Sequence, residues 1–278
     1  MTRVSAYLES VGLVGPGLPD WPHAADVLAG RAPYARARTV LPPPAGLPSA
    51  ERRRTGPVVR CALAVAHEAA TASGREPATL ATVFASSGGD GYNCHEICET
   101  LAGDDKQLSP TRFHNSVHNA PAGYWSIAAR AMGASNVLCA HDGSFAAGLL
   151  DGVCEVAVDA TPLLLVAFDT DYPEPMRAVR PIQDAFGVAL VLAPVKGPRT
   201  LARLDVELTE APPTILASDE FEALRRDNPA ARALPLLAAL AARRDASVVL
   251  DYLDETRLRV GVAIVSDCAI EPTSEAAR

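Results

Sequence analysis

Three short runs of apolar residues, each alternating with a segment of helical spacing, limit most strongly what this chain can fold into. The apolar runs cover residues 79–86, 136–140 and 162–169, and the helical segments cover 92–102, the later part of 113–132, and 144–158. Short runs that are apolar on both sides are typical of strands buried on both faces of a sheet. Their alternation with helices predicts an α/β fold.

Composition excludes several classes of function. Of the 278 residues, 49% are hydrophobic, and the formal net charge of −8 argues against nucleic acids and anionic membranes as partners. No apolar stretch reaches the roughly 18 residues that a membrane-spanning helix needs. The six scattered cysteines lack C-x-x-C spacing and indicate reduced thiols in a cytoplasmic protein.

Cys94 and Cys98, with His95 between them, have a spacing that two different structures would explain. The three side chains could ligate a metal ion, or the two cysteines could be small residues that pack along one helix face. We favour packing, and we expect neither a metal ion nor a cofactor.

The chain divides into a regular part and an extension. Residues 1–210 begin with a strand at 3–15, continue through a proline-rich loop at 16–50 with a short helix at 21–29, and enter a long helix near Ser49. Strands at 185–192 and 202–209, expected to be antiparallel, end this part. Residues 211–278 form an extension packed on the same domain, with a helix at 233–244, a hairpin at 247–266 and a flexible tail.

The segment 136–150 predicts a strand, a tight turn and the start of a helix, with Asp142 exposed at the turn. Backbone N–H groups and the helix dipole favour negative charge at such a position. A cysteine there would be an activated thiolate nucleophile, whereas an aspartate is a far poorer acyl acceptor. Asp142 is expected to cap the helix; the alternatives are a position facing a partner's tunnel and a pair with His141.

Four motifs in the right order resemble the N-terminal half of ketosynthases of the thiolase superfamily. They are the small-residue loop SSGG at 86–89, the segment SPTRFHNSVHNAPAG at 109–123, the elbow AHDGSF at 140–145 and the run RPIQDAFGVALVL at 180–192. The resemblance covers about residues 1–210. It implies a thiolase-like half with a five-stranded mixed sheet and helices on both faces, followed by a small helix and β-hairpin extension.

Two departures from the ketosynthase pattern imply a change of function. Asp142 occupies the place of the nucleophilic cysteine, and Cys139, inside the predicted strand, is expected to be buried and inert. Residues 211–278 contain no histidine, whereas a ketosynthase takes two catalytic histidines from its second half. We therefore expect no catalysis by this chain alone.

The sequence looks most like the chain length factors of aryl polyene pathways. The resemblance implies that such a subunit pairs with an active ketosynthase as a heterodimer or heterotetramer and meets the acyl carrier protein only indirectly. It would limit chain growth by lining the tunnel that receives the acyl chain. Two alternatives stay open: a stand-alone acyltransferase or hydrolase that uses His118, Ser144 or a cysteine, and a structural module that docks a carrier protein.

The resemblance places several residues at the partner interface or tunnel. The elbow strand would pair antiparallel with its counterpart across the dimer, which selects Asn136, Leu138, Ala140, Ser144 and Phe145. The alternative is a monomer whose strand edge is covered by the loop at 16–50.

The segment before the elbow contributes a second group of interface candidates. They are His114, Asn115, His118, Asn119, Tyr124 and Trp125. For its polar members we prefer interface or loop-fixing hydrogen bonds to acid–base catalysis, and we expect the two aromatic residues to anchor packing against the partner.

The helix at 92–102 is the candidate ruler of chain length. Its residues Tyr92, His95, Glu96 and Glu99 share one face at helical spacing and would reach the partner's acyl tunnel. The alternative is a plain surface helix.

Overall fold

A computed structural model of the protein describes residues 3–265 and shows one mixed β-sheet with helices on both faces. Its strands are β1 (Val4–Val14), β2 (Ala81–Ala85), β3 (Ser135–Leu138), β4 (Leu163–Asp169), β5 (Phe186–Ala193), β6 (Ala202–Thr209), β7 (Ala246–Leu253) and β8 (Thr256–Ile264). Its helices are α1 (Trp21–Leu28), α2 (Ser49–Arg52), α3 (Pro57–Ser73), α4 (Gly91–Ala102), α5 (Pro110–Asn115), α6 (Ala120–Ala129), α7 (Ser144–Asp159), α8 (Met176–Val179), α9 (Asp219–Asp227) and α10 (Leu234–Ala241).

The sheet has eight strands, so the expected number of five is wrong. The strand order is β3-β2-β4-β5-β1-β6-β8-β7. Only β3, β2 and β4 run parallel to one another, and the remaining pairs are antiparallel, as expected for β5 and β6. The three additional strands join because β6 pairs with β8 and β8 with β7, which makes the extension a continuation of the same sheet.

Alternating side chains of the strands divide the core into two layers. Leu163, Leu165 and Ala167 of β4 pack with α7 and α10, whereas Leu164, Val166 and Phe168 pack with α3 and α6. All seven residues of β4 are buried, as is typical of a strand covered on both faces. The apolar runs at 79–86 and 162–169 therefore become inner strands of the sheet. The run at 136–140 becomes the edge strand β3, whose residues are exposed or half-buried, so the expected burial of this run on both faces is wrong.

Helix boundaries differ from the sequence expectation where glycine and proline interrupt the chain. The helix expected from Ser49 is split into α2 and α3, since Gly56 takes an extended conformation and Pro57 suits only the first turn of a new helix. The helix expected at 233–244 consists of a 3₁₀ turn at Ala230–Ala233 followed by α10. The end of the predicted hairpin and the predicted tail lie outside the described residues.

The middle of the proline-rich loop at 16–50 is held by Arg38 and Thr39. Arg38 reaches the Asp171 carboxylate at 2.7 Å, and Thr39 donates a hydrogen bond to the Ala185 carbonyl at 2.8 Å. These contacts place the loop beside the ends of β4 and β5, so they do not support the alternative in which it covers the β3 edge. Within residues 3–265, no helix combines the length and apolar composition that crossing a bilayer requires.

Candidate functional site

The elbow between β3 and α7 is a 3₁₀ turn at His141–Gly143 that leads directly into the helix. His141 adopts a left-handed conformation with φ of 49°, which turns the chain sharply after the strand. Ser144 stabilises the turn, because its hydroxyl accepts from the Ala140 N–H at 3.0 Å and donates to the His141 carbonyl at 2.7 Å. Ser144 is also buried, so it lacks both the exposure and the base of a nucleophile.

Asp142 forms ion pairs instead of capping α7, so the expected cap is wrong. Its Oδ1 lies 2.5 Å from Arg180 Nη2, and its Oδ2 lies 3.0 Å from Arg232 Nη2. The alternative pair with His141 is a longer contact, with Nδ1 at 3.6 Å from Oδ1. Partial burial alone would raise the pKa of Asp142, but the hydrogen bond from Arg180 and the charge of Arg232 outweigh it and lower that pKa.

The extension covers the elbow from one side. A Cβ added at Gly143 would lie 2.8 Å from the carbonyl carbon of Tyr252, so the backbone of β7 packs directly on the turn. Arg232 and Asp251 come from the same extension and line a cavity of about 260 Å³ beside Asp142. Sequence reasoning missed Arg232, because no local pattern signals an ion pair between residues 90 positions apart.

Cys139 is exposed, so the expectation that it is buried is wrong. It follows β3, which lies at the edge of the sheet and pairs only with β2 among the described strands. Its Sγ lies 3.1 Å from the carbonyl oxygen of Ser87. An edge strand leaves one side of the following residues open to solvent, which the apolar pattern of the sequence did not reveal.

Residues that were expected to serve a partner interface fall into two groups. Tyr124, Trp125, Ser144 and Phe145 are buried in the chain itself, so their packing partners are intramolecular, contrary to the expectation. The α7 start turns Phe145 toward the strands, and Trp125 packs on His67 with ring centroids 5.0 Å apart. Exposed or half-buried are Tyr92, His95, Glu96, Glu99, His114, Asn115, His118, Asn119, Asn136, Leu138 and Ala140.

The polar cluster before α6 makes hydrogen bonds that fix loops. Asn115 donates to the Arg54 carbonyl at 2.8 Å and accepts from the Tyr124 hydroxyl at 3.0 Å. His118 Nε2 lies 3.3 Å from the Ser86 carbonyl oxygen. Asn119 precedes α6 without a side-chain capping bond. These contacts agree with loop-fixing hydrogen bonds for the cluster.

The predicted ruler face of α4 contacts the chain itself. Tyr92 donates to Asp171 at 3.4 Å, Glu96 pairs with Arg112 of α5 at 2.9 Å, and His95 lies 3.3 Å from Glu99. On the opposite side of the helix, by the 100° step of an α-helix, Cys94, Cys98 and Leu101 are exposed.

An apolar groove of about 530 Å³ lies between α5 and α6. Its walls include Phe113, Val117 and Ile127, whose exposed fractions are 66%, 53% and 47%. Tyr124 and His114 also line it, with their rings 6.3 Å apart in an edge-on arrangement. Among residues 3–265, no group of three or more His, Cys, Asp or Glu side chains is arranged to hold a metal ion.

Comparisons with solved structures find the same fold in ketosynthase assemblies. A chain of the complex of the ketosynthase ApeO with its chain length factor ApeC from Xenorhabdus doucetiae superposes with a TM-score of 0.70 at 20% identity, covering 93% of this chain and 99% of that one. The ishigamide ketosynthase/chain length factor gives 0.70 at 13% identity, covering 96% and 100%. Because nearly all of both chains is covered in each case, the matched chains are of similar length to this one.

A third structure, the type II carrier protein AntF in complex with its ketosynthase AntDE, gives a TM-score of 0.70 at 8% identity, covering 95% of this chain and 100% of that one. At these identities the likeness establishes the thiolase-like fold. No curated protein matches the sequence significantly. The family model of the beta-ketoacyl synthase N-terminal domain matches residues 29–250. Since that match spans well over half of the chain, the protein belongs to the beta-ketoacyl synthase family.

Proposed function

We propose that the protein is a non-catalytic chain length factor that pairs with an active ketosynthase in the synthesis of an acyl or polyene chain of the aryl polyene type. The observation that carries the proposal is the state of the elbow: Asp142 is held by Arg180 and Arg232, and the neighbouring Gly143 packs against the backbone of Tyr252. A carboxylate engaged by two guanidinium groups is a weak nucleophile, and an acyl group on it would be a hydrolysable anhydride.

The face that would bind the ketosynthase contains the outer edge of β3 and the groove between α5 and α6. Phe113, Val117, Ile127 and Met132 expose apolar side chains there, with Met132 92% exposed. Large exposed apolar patches mark interaction sites, and a free strand edge offers unpaired backbone groups to a second strand. Antiparallel pairing of β3 with the partner's equivalent strand would join two sheets, and an interface above about 2,000 Å² is typical of such obligate pairs.

Control of chain length would come from α4 and the groove walls. Tyr92 and Glu99 are the exposed members of the predicted ruler face, and Leu101 extends the apolar surface on the other side of the helix. A bulky side chain at a tunnel-facing position would shorten the space for the growing chain. A scan of α4 with tryptophan, read as product length by mass spectrometry of the reconstituted pair, tests this role.

Association with the ketosynthase can be tested with two matched substitutions. Ile127→Glu places a charge in the groove, and Ile215→Glu places the same charge at a 71% exposed position of the extension. Because burying an unpaired carboxylate is unfavourable, I127E should weaken co-purification at least tenfold on size-exclusion chromatography, while I215E should leave it unchanged. Equal binding by both variants, or no complex with the wild-type chain, would contradict the proposal.

The enzymatic alternative has one specific observation in its favour, the exposed thiol of Cys139. Incubation of the purified chain with acyl thioesters, followed by intact mass, separates the two functions. The proposed function requires no stable acyl adduct, whereas an acyltransferase would form one that Cys139→Ser or Ser144→Ala abolishes.

A further inference from the structure

Six charged side chains of alternating sign connect the elbow to the extension. In order they are Arg180, Asp142, Arg232, Asp251, Arg225 and Glu222. The successive nitrogen–oxygen distances are 2.5, 3.0, 3.5, 2.5 and 2.6 Å. Every member except Asp142 has a side chain less than a quarter exposed, so solvent screens these pairs less than pairs on the open surface.

We propose that this chain of charges is a latch that holds the extension over the elbow, and that Asp142 is its connecting residue. Arg180 lies in the regular part of the chain and Arg232 in the extension, and the two oxygens of Asp142 each bind one of them. The bond between Asp142 and Arg232 therefore joins the regular part to the extension, and removal of either side chain breaks this connection. This role is independent of any partner subunit.

The steric fit of the two parts shows what the latch keeps closed. Gly143 leaves just enough room for the Tyr252 backbone, so the hairpin lies directly on the turn. Arg232 has a buried Nε without a hydrogen-bond partner, so its interactions depend on Asp142 and Asp251. Loss of either carboxylate would leave a largely buried guanidinium with too few acceptors, which favours opening of the hairpin.

Hydrogen exchange of the whole chain, read by mass spectrometry, tests the latch. Asp142→Asn keeps the shape of the side chain and removes its charge. We expect D142N to exchange the amides of β7 at least tenfold faster than wild type, with β4 and β5 unchanged, since local opening exposes only the released element. Arg232→Gln should do the same, and the double variant should exchange no faster than the faster single variant because both break one connection.

A matched control removes another carboxylate that pairs with the extension. Glu207 of β6 binds Arg259 of β8 at 3.3 Å, outside the latch. Glu207→Gln should leave β7 exchange within about twofold of wild type, because β6 and β8 stay joined by the backbone pairing of Ala202–Thr209 with Arg257–Ile264 and the pair does not involve β7. Equal exchange of D142N and wild type, or equal acceleration by E207Q, overturns the proposal. If D142N does not fold, Asp142→Glu is compared with Arg232→Gln. The glutamate variant keeps the carboxylate, so the β7 amides should stay better protected from exchange than in R232Q; equal exchange of the two variants overturns the proposal.

Discussion

Substitution of Gly143 by alanine measures how tightly the extension packs on the elbow. The backbone at Gly143 has φ of −88° and ψ of 8°, which alanine adopts without strain. The added Cβ would meet the carbonyl carbon of Tyr252 at 2.8 Å and its oxygen at a still shorter distance, whereas ordinary contacts begin near 3.4 Å. The atoms in the way belong to a backbone, so β7 must move by more than half an ångström.

The expected loss follows from two effects at one position. Overpacking against an atom that cannot rotate away costs about 1–3 kcal/mol, and a backbone obstacle favours the upper end of that range. Alanine is also a poorer N-cap residue than glycine, by about 0.5–1 kcal/mol. We therefore expect the free energy of unfolding to fall by about 3 kcal/mol, measured by urea unfolding with an unchanged m-value.

Gly123→Ala is the control for this experiment. Gly123 lies inside α6, and nothing lies within 4 Å of an added Cβ. Alanine is the better helix former, so G123A should stabilise the chain by about 0.5–1 kcal/mol. The packing argument is refuted if G143A unfolds within about 0.5 kcal/mol of wild type, or if the two variants shift stability in the same direction.

Two further substitutions probe buried polar groups. Burial raises the pKa of Asp169 to about 6, against hydrogen bonds from Ser87. Between about pH 4 and 6 the folded chain thus retains a proton that the unfolded chain loses. The free energy of unfolding therefore falls by about 1.4 kcal/mol for each pH unit across this range. Tm measured across the same range should fall less in D169N than in wild type. Glu222 has the opposite sign, since Arg225 lowers its pKa to about 2 and its contribution is lost only below about pH 4.5. Trp125→Ala should cost about 3–5 kcal/mol of stability, and Trp125→Phe should cost far less. The reason is that the indole Nε1 has no hydrogen-bond partner, so the buried ring contributes through packing. Equal losses in chemical denaturation would contradict this.

The sequence predicts best those elements whose signal is local. Strand β6 has the predicted bounds, 202–209, and α7 differs from the predicted helix by one residue at its C-terminal end. Both have an apolar pattern that only one kind of element can bury. The pairing of β8 with β6 was not predictable in this way, because antiparallel partners far apart in the sequence are selected by packing and not by the residues of either strand alone.

The candidate site was predictable in position but not in detail. The turn at Asp142 follows from a strand, a polar break and a helix, and the structure places it there. Its partners Arg180 and Arg232 lie 38 and 90 residues away, and nothing in their neighbourhoods indicates an acidic partner. The exposure of Cys139 depends on the edge position of β3, which is a property of the whole sheet.

The electrostatics of the elbow suit a thiolate and a carboxylate equally. The guanidinium groups of Arg180 and Arg232 favour a negative charge at position 142, and they lower the pKa of Asp142. The same groups would lower the pKa of a thiol introduced by Asp142→Cys below the usual value of about 8.5. We expect D142C to be alkylated by iodoacetamide at position 142 with an apparent pKa at least one unit below that value, measured by peptide mass spectrometry across pH.

Adding Arg232→Gln to this variant should raise that apparent pKa, because one of the two cations is lost. An ordinary thiol pKa in D142C would show that the arginines do not set the charge at this position. A lowered thiol pKa without condensing activity would show that stabilising an anion at position 142 is not sufficient for catalysis. The anion is stabilised by Arg180 and Arg232, which this chain contains. Condensation also needs a nucleophilic atom and space for the substrate, whereas this chain has Asp142 at that position and the Tyr252 backbone packed on the adjacent turn.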